Sequence, residues 1–519
     1  MKKILLILII GFGAFLRFFS LSASPPSLNW DEAALGYNAY SLMQTGKDEY
    51  GKYFPVFTRS FDEYKAAIPA YMMIPAIKIF GLNEIGVRFT TALLGTILIF
   101  LIYYLTMQVF KRDWAALASA WAFAIEPWAV HFSRTNHEAM AALFFLLLGL
   151  VLFLRSREVK RFLPVSLILF LLSMYTYNSN KIIIPIFLAF LYIINRKFLH
   201  HKYLLLAISA LFLIPFSILA LKGEAFARTQ STNIFVLWGS GHTSFPGSLY
   251  YFGWDIISRY LSYASPYNLF VREPYEPVLV IPYNSMFHPY EFVFWFIGII
   301  YLVKNYQKNK ELVLLAAITP IPAMLTWSWF QPGRGITLFA VYSLCIGWGM
   351  YAVSTKLPKI GKFMFGLFII LFGVSSAVYL LDSLLVQLPY RDAGNWQPGF
   401  RETVPAVYSL SKDYDQVIVD TPQAQPYIFY LFYSQYPPDK YLRELDFGKI
   451  GKPRKFYDFG KFHFRDIYWP KDRSLPRTLF VGTDYDLPVN DIANSPNTKI
   501  LSIINDKYGN PIQKIVGTN

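Results

Sequence analysis

LNWDEAALGYNAYSLMQTG, residues 28–46, carries two adjacent carboxylates, Asp31 and Glu32, just beyond an apolar N-terminal segment. Asn29 in the N-cap position and Glu32 three residues on make a capping-box pattern, so a helix is expected to start here. Gly46 supplies its C′ stop. Two acids in a first turn need do no more than complement the helix dipole. Their setting adds a second reading. A membrane span should end just before residue 28, which would turn the acidic end of this helix toward a membrane interface.

The flanks support that setting. MKKILLILIIGFGAFLRFFSLS begins with two lysines and stays apolar for longer than a signal-peptide core, with only Ser22-Ala23-Ser24 as a weak cleavage pattern. It reads as a retained span with Arg17 near its far end. A span needs about 20 apolar residues. Further spans are expected near 85–110, 114–132, 138–154, 162–177, 182–195, 203–221, 291–303, 311–330, 336–354 and 363–381. The whole chain agrees: 55% of its 519 residues are hydrophobic and only 16% charged, against about 25% charged in soluble proteins.

A net charge of +15 raises nucleic acid as a partner, but the positions of the charges exclude it. They sit largely in short clusters between apolar runs, and no basic stripe carries interleaved aromatics. With Lys2 and Lys3 cytoplasmic, alternate loops should be basic. Those loops hold Lys111 and Arg112; Arg155, Arg157, Lys160 and Arg161; Arg196, Lys197 and Lys202; Lys304, Lys308 and Lys310; and Lys356, Lys359 and Lys362. Eleven spans fit this pattern, with a cytoplasmic N-terminus and an extracytoplasmic C-terminal region. Cys345 is the single cysteine and lies in an apolar run, which rules out disulfides within the chain and a cysteine-based metal site.

The outer loops are unequal. The first, about 22–84, holds the opening stretch; the second is SRTNHE (133–138), the third YNSNK (177–181), and the fifth QPGRG (331–335). The fourth, about 222–290, is long, and FPGSLYYFGWDIISRYLSYASP within it resembles an interfacial amphipathic helix. From residue 382 the apolar runs stop. Strands are expected at 415–421, 477–483, 498–504 and 511–517, and helices at 405–414 and 424–435, making a small α/β domain. The chain therefore divides into a transmembrane domain, 1–381, and an extracytoplasmic α/β domain, 382–519.

Polar groups gather on the outer side: Asp31, Glu32, Asp62, Glu63 and Lys65, then Arg134, His137 and Glu138, then Asn178, Asn180 and Lys181, and finally Arg334. Acids and bases converging at one interface suit a reaction on a phosphate-linked lipid. A carboxylate can take the proton of an acceptor hydroxyl while Lys and Arg neutralise a leaving phosphate. Each also has a plainer role. Lys65 can snorkel from a helix end, Glu138 can pair with Arg134 one turn away, and Arg334 can anchor an interface. Asp48, Glu49 and Lys52 read as a solvated loop, and His200 and His201 as cytoplasmic surface. There is no Walker loop, no GxGxxG and no zincin helix. Asp, Glu and His could hold a divalent ion, but no ligand spacing specifies one and no cofactor is implied.

Taken together, five segments resemble the C-type (GT-C) membrane glycosyltransferases, above all protein O-mannosyltransferases and the lipid A aminoarabinose transferase (PMT-like, ArnT-like). They are LRFFSLSASPPSLNWDEAALGYNAYSL (16–42), DEYKAAIPAYMMIPAIKIFGLNEIGVRFTTALLGT (62–96), WAVHFSRTNHEAMAALFFLL (128–147), YTYNSNKIIIP (175–185) and QPGRGITLFAVYSL (331–344). The match spans most of residues 10–350 and rests on the order and spacing of the set, since each motif alone is weak. It implies a polytopic helical fold with juxtamembrane helices in the first outer loop. It further implies transfer of a single sugar, with inversion, from a polyprenyl-phosphate donor to a protein, glycan or lipid acceptor on the extracytoplasmic face. By the same resemblance Asp31 is the general base with Glu32 as its neighbour. Lys65, Arg334 and, more distantly, Arg228 contact the donor phosphate; Glu138 is a second-loop acid; Asp62, Glu63, Arg134 and Lys181 support them. Where several relatives have Lys-Pro-Pro, this chain has Lys65-Ala66-Ala67-Ile68-Pro69.

Two other readings compete. A lipid transporter or flippase should place its ionisable groups at mid-membrane depth, often with inverted repeats, and neither is visible. A non-catalytic assembly subunit need not keep Asp31, Lys65 and Arg334.

Overall fold

The computed structural model describes residues 1–61, 63–195, 202–227, 232–235, 247–421, 425–445 and 458–519. The chain begins with α1 (Lys2–Phe18), α2 (Trp30–Thr45), a hairpin of β1 (Phe57–Ser60) and β2 (Glu63–Ala66), and α3 (Ile68–Phe80). A helical series follows: α4 (Glu84–Phe110), α5 (Asp113–Ile125), α6 (Pro127–Arg134), α7 (Glu138–Arg155), α8 (Phe162–Thr176), α9 (Asn180–Asn195), α10 (Lys202–Leu221) and α11 (Gly247–Ser262). It continues with α12 (Phe292–Lys304), α13 (Lys310–Ile318), α14 (Pro320–Met324), α15 (Pro332–Thr355) and α16 (Lys359–Asp382). The C-terminal part holds α17 (Phe400–Leu410), β3 (Gln416–Val419), α18 (Pro426–Tyr433), β4 (Phe462–Phe464), β5 (Thr478–Gly482), β6 (Thr498–Asn505) and β7 (Pro511–Thr518).

Packing divides the chain into two compact units. One comprises Met1–Leu21 and Arg88–Gln387, the other Ser22–Val87 and Leu388–Asn519. The second unit thus takes up the first outer loop as well as the C-terminal domain expected from the sequence, because α2 and α3 supply apolar surface that the sheet needs.

In the helical unit, α4, α7, α10, α15 and the run from Lys359 are long and apolar enough to cross a membrane. Proline explains where helices break. The expected span 114–132 divides at Glu126, after which Pro127 opens α6; 311–330 divides where α13 ends and Pro320 opens α14. Proline lacks the N–H that an unbroken helix requires but fits a first turn. α15 lies inside the unit, whereas α10 and α16 expose Leu206, Leu211, Ile214, Phe363, Ile370 and Leu371. Such side chains suit hydrocarbon. Small residues let backbones meet: a methyl carbon built on Gly298 would lie 2.0 Å from the Cys345 carbonyl, and one on Gly347 2.3 Å from the Ser119 nitrogen.

In the other unit the sheet runs β4-β3-β5-β7-β6, with β3 parallel to β4 and β5 and β7 antiparallel to its neighbours. The four expected strands are present, and β4 is an addition: FHF is too short to read from periodicity. Alternation sorts the side chains. Val417, Val419, Leu479, Val481 and Ile515 join one core with Ala33, Tyr37, Met73 and Phe429 from α2, α3 and α18. Ile418, Phe480 and Val516 face a smaller core with Trp469 and Leu487.

Candidate active site

α2 is fixed at its N-terminus from two directions. Asn29 Oδ1 accepts the Glu32 N–H at 2.9 Å, and the Glu32 carboxylate accepts the Asn29 N–H at 3.2 Å, which is the capping box read from the sequence. Gln397 Oε1 takes the Trp30 N–H at 3.0 Å. Gly46 closes the helix at φ +71°, a conformation that favours glycine. Glu32, only 1% exposed, is thereby built into the cap. Asp31 keeps its carboxylate partly in solvent at the same helix end.

The β1–β2 hairpin brings Lys65 to that carboxylate. Lys65 lies opposite Thr58 in the ladder, its ammonium bonds Asp31 Oδ1, and it sits 4.9 Å from the centre of the Phe61 ring. The lysine side chain is 3% exposed and the aspartate 44%. A buried cation is thus held by an accessible anion, an arrangement in which an incoming anion can share or replace the partner. Glu63 opposes Ser60 at the turn end of the hairpin. Asp62 lies outside the described residues, as does Arg228.

Behind this pair lie two acids that the sequence reading left in solvent. Asp48 and Glu49 are buried, whereas Lys52 is exposed. The reason is local. Asp48 Oδ1 accepts the Tyr50 and Lys52 N–H groups and closes a turn, while Asn38 Oδ1 of α2 accepts the Glu49 N–H at 3.0 Å. Burial pushes the Glu49 carboxyl up to about 8; Asp48 adds to the rise, and Ser60, Lys65 and Tyr427 oppose it. Glu84, another acid the motifs did not single out, accepts bonds from Arg401 and Tyr433 at 2.7 and 2.8 Å. Partners more than 300 residues apart leave no local signal.

In the helical unit three of the expected outer loops meet. Gly333 of QPGRG approaches SRTNHE and YNSNK so closely that a methyl carbon on it would lie 3.1 Å from the His137 ring and 3.3 Å from the Tyr177 hydroxyl. Gln331 caps α15 by accepting the Arg334 N–H at 2.9 Å, and the Arg334 guanidinium, half-buried, bonds Thr326 Oγ1. His137 caps α7, where Glu138 is the first residue and partly exposed. Lys181 is buried, donating to Asn178 Oδ1 and the Ala225 carbonyl, both at 2.6 Å. Arg134 is buried too. It donates to the Leu16 and Phe19 carbonyls at 2.8 and 2.9 Å, satisfying the orphaned end of α1. Arg17 likewise bonds the Ala124 and Phe123 carbonyls and Ser133 Oγ, tying α1 to α5 and α6. Sequence reading missed Arg88, buried and bonded to the Leu21 carbonyl. Among the described residues no group of three or more Asp, Glu, His or Cys side chains has the arrangement of a metal site.

The family of dolichyl-phosphate-mannose-protein mannosyltransferases matches residues 65–220, from the paired lysine through α10. In fold, the chain is similar to ArnT from Cupriavidus metallidurans in the apo state, with a TM-score of 0.56 at 12% identity over 98% of this chain and 97% of that one. The chain therefore shares the fold of this ArnT, and its residues 65–220 resemble the mannosyltransferase family. ArnT from the same organism bound to undecaprenyl phosphate gives a TM-score of 0.58, with the same identity and coverage. The archaeal oligosaccharyltransferase AglB from Archaeoglobus fulgidus, in complex with an inhibitory peptide and a dolichol-phosphate, gives 0.50 at 16% identity over 83% of this chain and 63% of that one. A comparison with curated protein sequences finds no match. At these identities the solved relatives speak for the fold and not for individual side chains.

Proposed function

We propose that this chain transfers a single sugar, with inversion, from a polyprenyl-phosphate donor to an acceptor on the extracytoplasmic face of a membrane. The observation that carries the reading is the Lys65–Asp31 pair, a buried ammonium bonded to a half-exposed carboxylate at a helix N-terminus. The polyprenyl phosphates bound in the fold relatives suggest the donor class.

The roles follow from charge. A donor phosphate draws the Lys65 ammonium toward itself and leaves Asp31 free to accept a proton. The acceptor oxygen then bonds to the anomeric carbon from the face opposite the phosphate. The carbon–oxygen bond to phosphate breaks, its electron pair leaves with the polyprenyl phosphate, and the acceptor proton passes to Asp31. Arg334 and Arg228 are assigned to the phosphate, Glu138 to a sugar at the second loop, and Asp62, Glu63, Arg134 and Lys181 to support. Glu32 serves by holding the cap that aims Asp31. Residues 1–381 carry the transfer in this reading, and 382–519 select the acceptor.

Incubation of the purified chain with radiolabelled polyprenyl-phosphate sugars and membrane extract should label a product with one of the donors. A panel that labels nothing would sink the transferase reading. Orientation is tested by protease added outside intact cells: cleavage should occur near residue 450 and spare the 155–161 loop.

A further inference from the structure

At the carboxyl edge of the sheet lies a cavity lined by none of the side chains assigned above to the base or the donor phosphate. β3 and β5 run side by side in parallel, with Val419 beside Val481, and a cavity of about 100 Å³ opens beyond their ends. Val419, Val481 and Phe400 line it, and the Phe400 ring is fixed by stacking on Phe429 at 4.4 Å. Crevices outside the carboxyl ends of parallel strands are where open α/β sheets hold ligands.

Its polar groups have one character. Asp420, the residue directly after β3, is 8% exposed and lines the cavity. Its Oδ1 accepts the Ile467 N–H at 2.7 Å, and its own N–H donates to the Val481 carbonyl at 2.9 Å, so its direction is set by backbone on both sides. Gln513 faces it from β7, with a buried Oε1 that accepts no hydrogen bond among the described residues. Thr483 completes the rim. No Lys or Arg lines the cavity among the described residues, and Asp466 and Asp486 stand close enough to Asp420 to raise its carboxyl, with burial the larger cause, to about 7. Phosphates and other anions are disfavoured there. A neutral group that donates several hydrogen bonds and offers an apolar face is favoured.

We propose that this cavity binds one edge of a neutral sugar ring belonging to the acceptor, with adjacent hydroxyls donating to Asp420 and Gln513 and the C–H face of the ring against Phe400. The volume fits part of a ring, smaller than the 150 Å³ cavities that enclose benzene, so the remainder of the sugar extends past Gly394 at the exposed mouth. The acceptor role rests on the proposed glycosyl transfer; the sugar binding does not.

The test uses the full-length chain in detergent, methyl gluco-, galacto- and mannopyranosides as probes, and saturation-transfer NMR as the readout. At least one glycoside should bind the wild type. Two variants should weaken it at least about tenfold, as loss of a hydrogen bond to a charged group predicts. Asp420→Asn keeps an acceptor for the Ile467 N–H and removes the charge. Gly394→Phe plugs the mouth, and a carbon added at Gly394 meets no atom within 4 Å, so its melting temperature should stay that of the wild type. Polyprenyl-phosphate donor binding should be unchanged in both. Absence of glycoside binding to the wild type, or binding that survives Gly394→Phe, overturns the proposal. Parallel loss of donor binding overturns it as well, since the cavity would then serve the donor. Glycoside binding in a chain that transfers no sugar supports the cavity and removes only the transferase reading.

Discussion

Lys65 and Arg134 are both cations drawn out of water, yet they do different things. Lys65 is held by the side chain of Asp31, itself 44% exposed. Arg134 is held by main-chain carbonyls at the end of α1, which no ligand can replace without unwinding the helix. Burial alone therefore does not tell the two cations apart. The nature of the partner does, and substitution at the two ends of the comparison should give opposite signatures.

The largest effect is expected at the anion of the first pair. Asp31→Asn keeps shape and hydrogen bonding but removes basicity. It should fold, bind donor and transfer sugar at least about 100-fold more slowly at saturating acceptor. Near-wild-type turnover would move the base elsewhere, with Glu138 the next candidate. Lys65→Ala should weaken donor binding by about 1.5–3 kcal/mol through loss of a charge-assisted contact, with Arg334→Ala in the same range. Unchanged donor affinity in both would reduce Lys65 to a partner for Asp31 and Arg334 to a partner for Thr326.

Arg134→Ala should reverse the pattern. It strands carbonyls at the end of α1, at a cost of about 1–3 kcal/mol of stability, while donor affinity of the folded fraction stays as it was. Thermal melting and donor titration on one preparation check both halves. A donor-binding defect without a stability defect would place Arg134 with Lys65.

What the sequence disclosed follows from the range of the forces involved. The capping box at Asn29 and Glu32, the αL stop at Gly46 and the strands β3, β5, β6 and β7 depend on residues within a few positions of each other, and each can be read locally. The positions of helices 138–155 and 332–355 follow from apolar length. The joining of residues 22–87 to the sheet could not be read, because it rests on apolar faces meeting across more than 300 residues. The hairpin that carries Lys65 was missed because FTRS and EYKA lack the run of β-branched residues that marks QVIV, a strand of the same length. Motif resemblance singled out Asp31 and Lys65 separately and did not pair them; the pair comes from the hairpin. It gave no warning that Arg134 caps a helix, since an arginine toward carbonyls and one toward phosphate look alike in a sequence.

Glu49 marks the same boundary between local pattern and tertiary burial. DEY in a loop reads as solvated, yet Glu49 is 1% exposed and, among the described residues, neither carboxyl oxygen closes a hydrogen bond of ordinary geometry. Its carboxyl lies at about 8 in the folded chain against an ordinary 4.5. The folded state therefore holds this proton more tightly than the unfolded state, and stability should fall as pH rises from about 4.5 to about 8, then level off. Glu49→Gln mimics the protonated form at every pH. Its melting temperature should match the wild type near pH 5 and exceed it at pH 8–9, by the equivalent of about 1–3 kcal/mol for a buried charged group whose partners do not offset its desolvation. If the two melting curves instead stay parallel from pH 5 to pH 9, the loop admits water and the acid is solvated after all. Lys65 offers a finer reading of the same experiment. It opposes the rise at Glu49, so Lys65→Ala should move the stability loss to higher pH, whereas Arg134→Ala should leave its position unchanged.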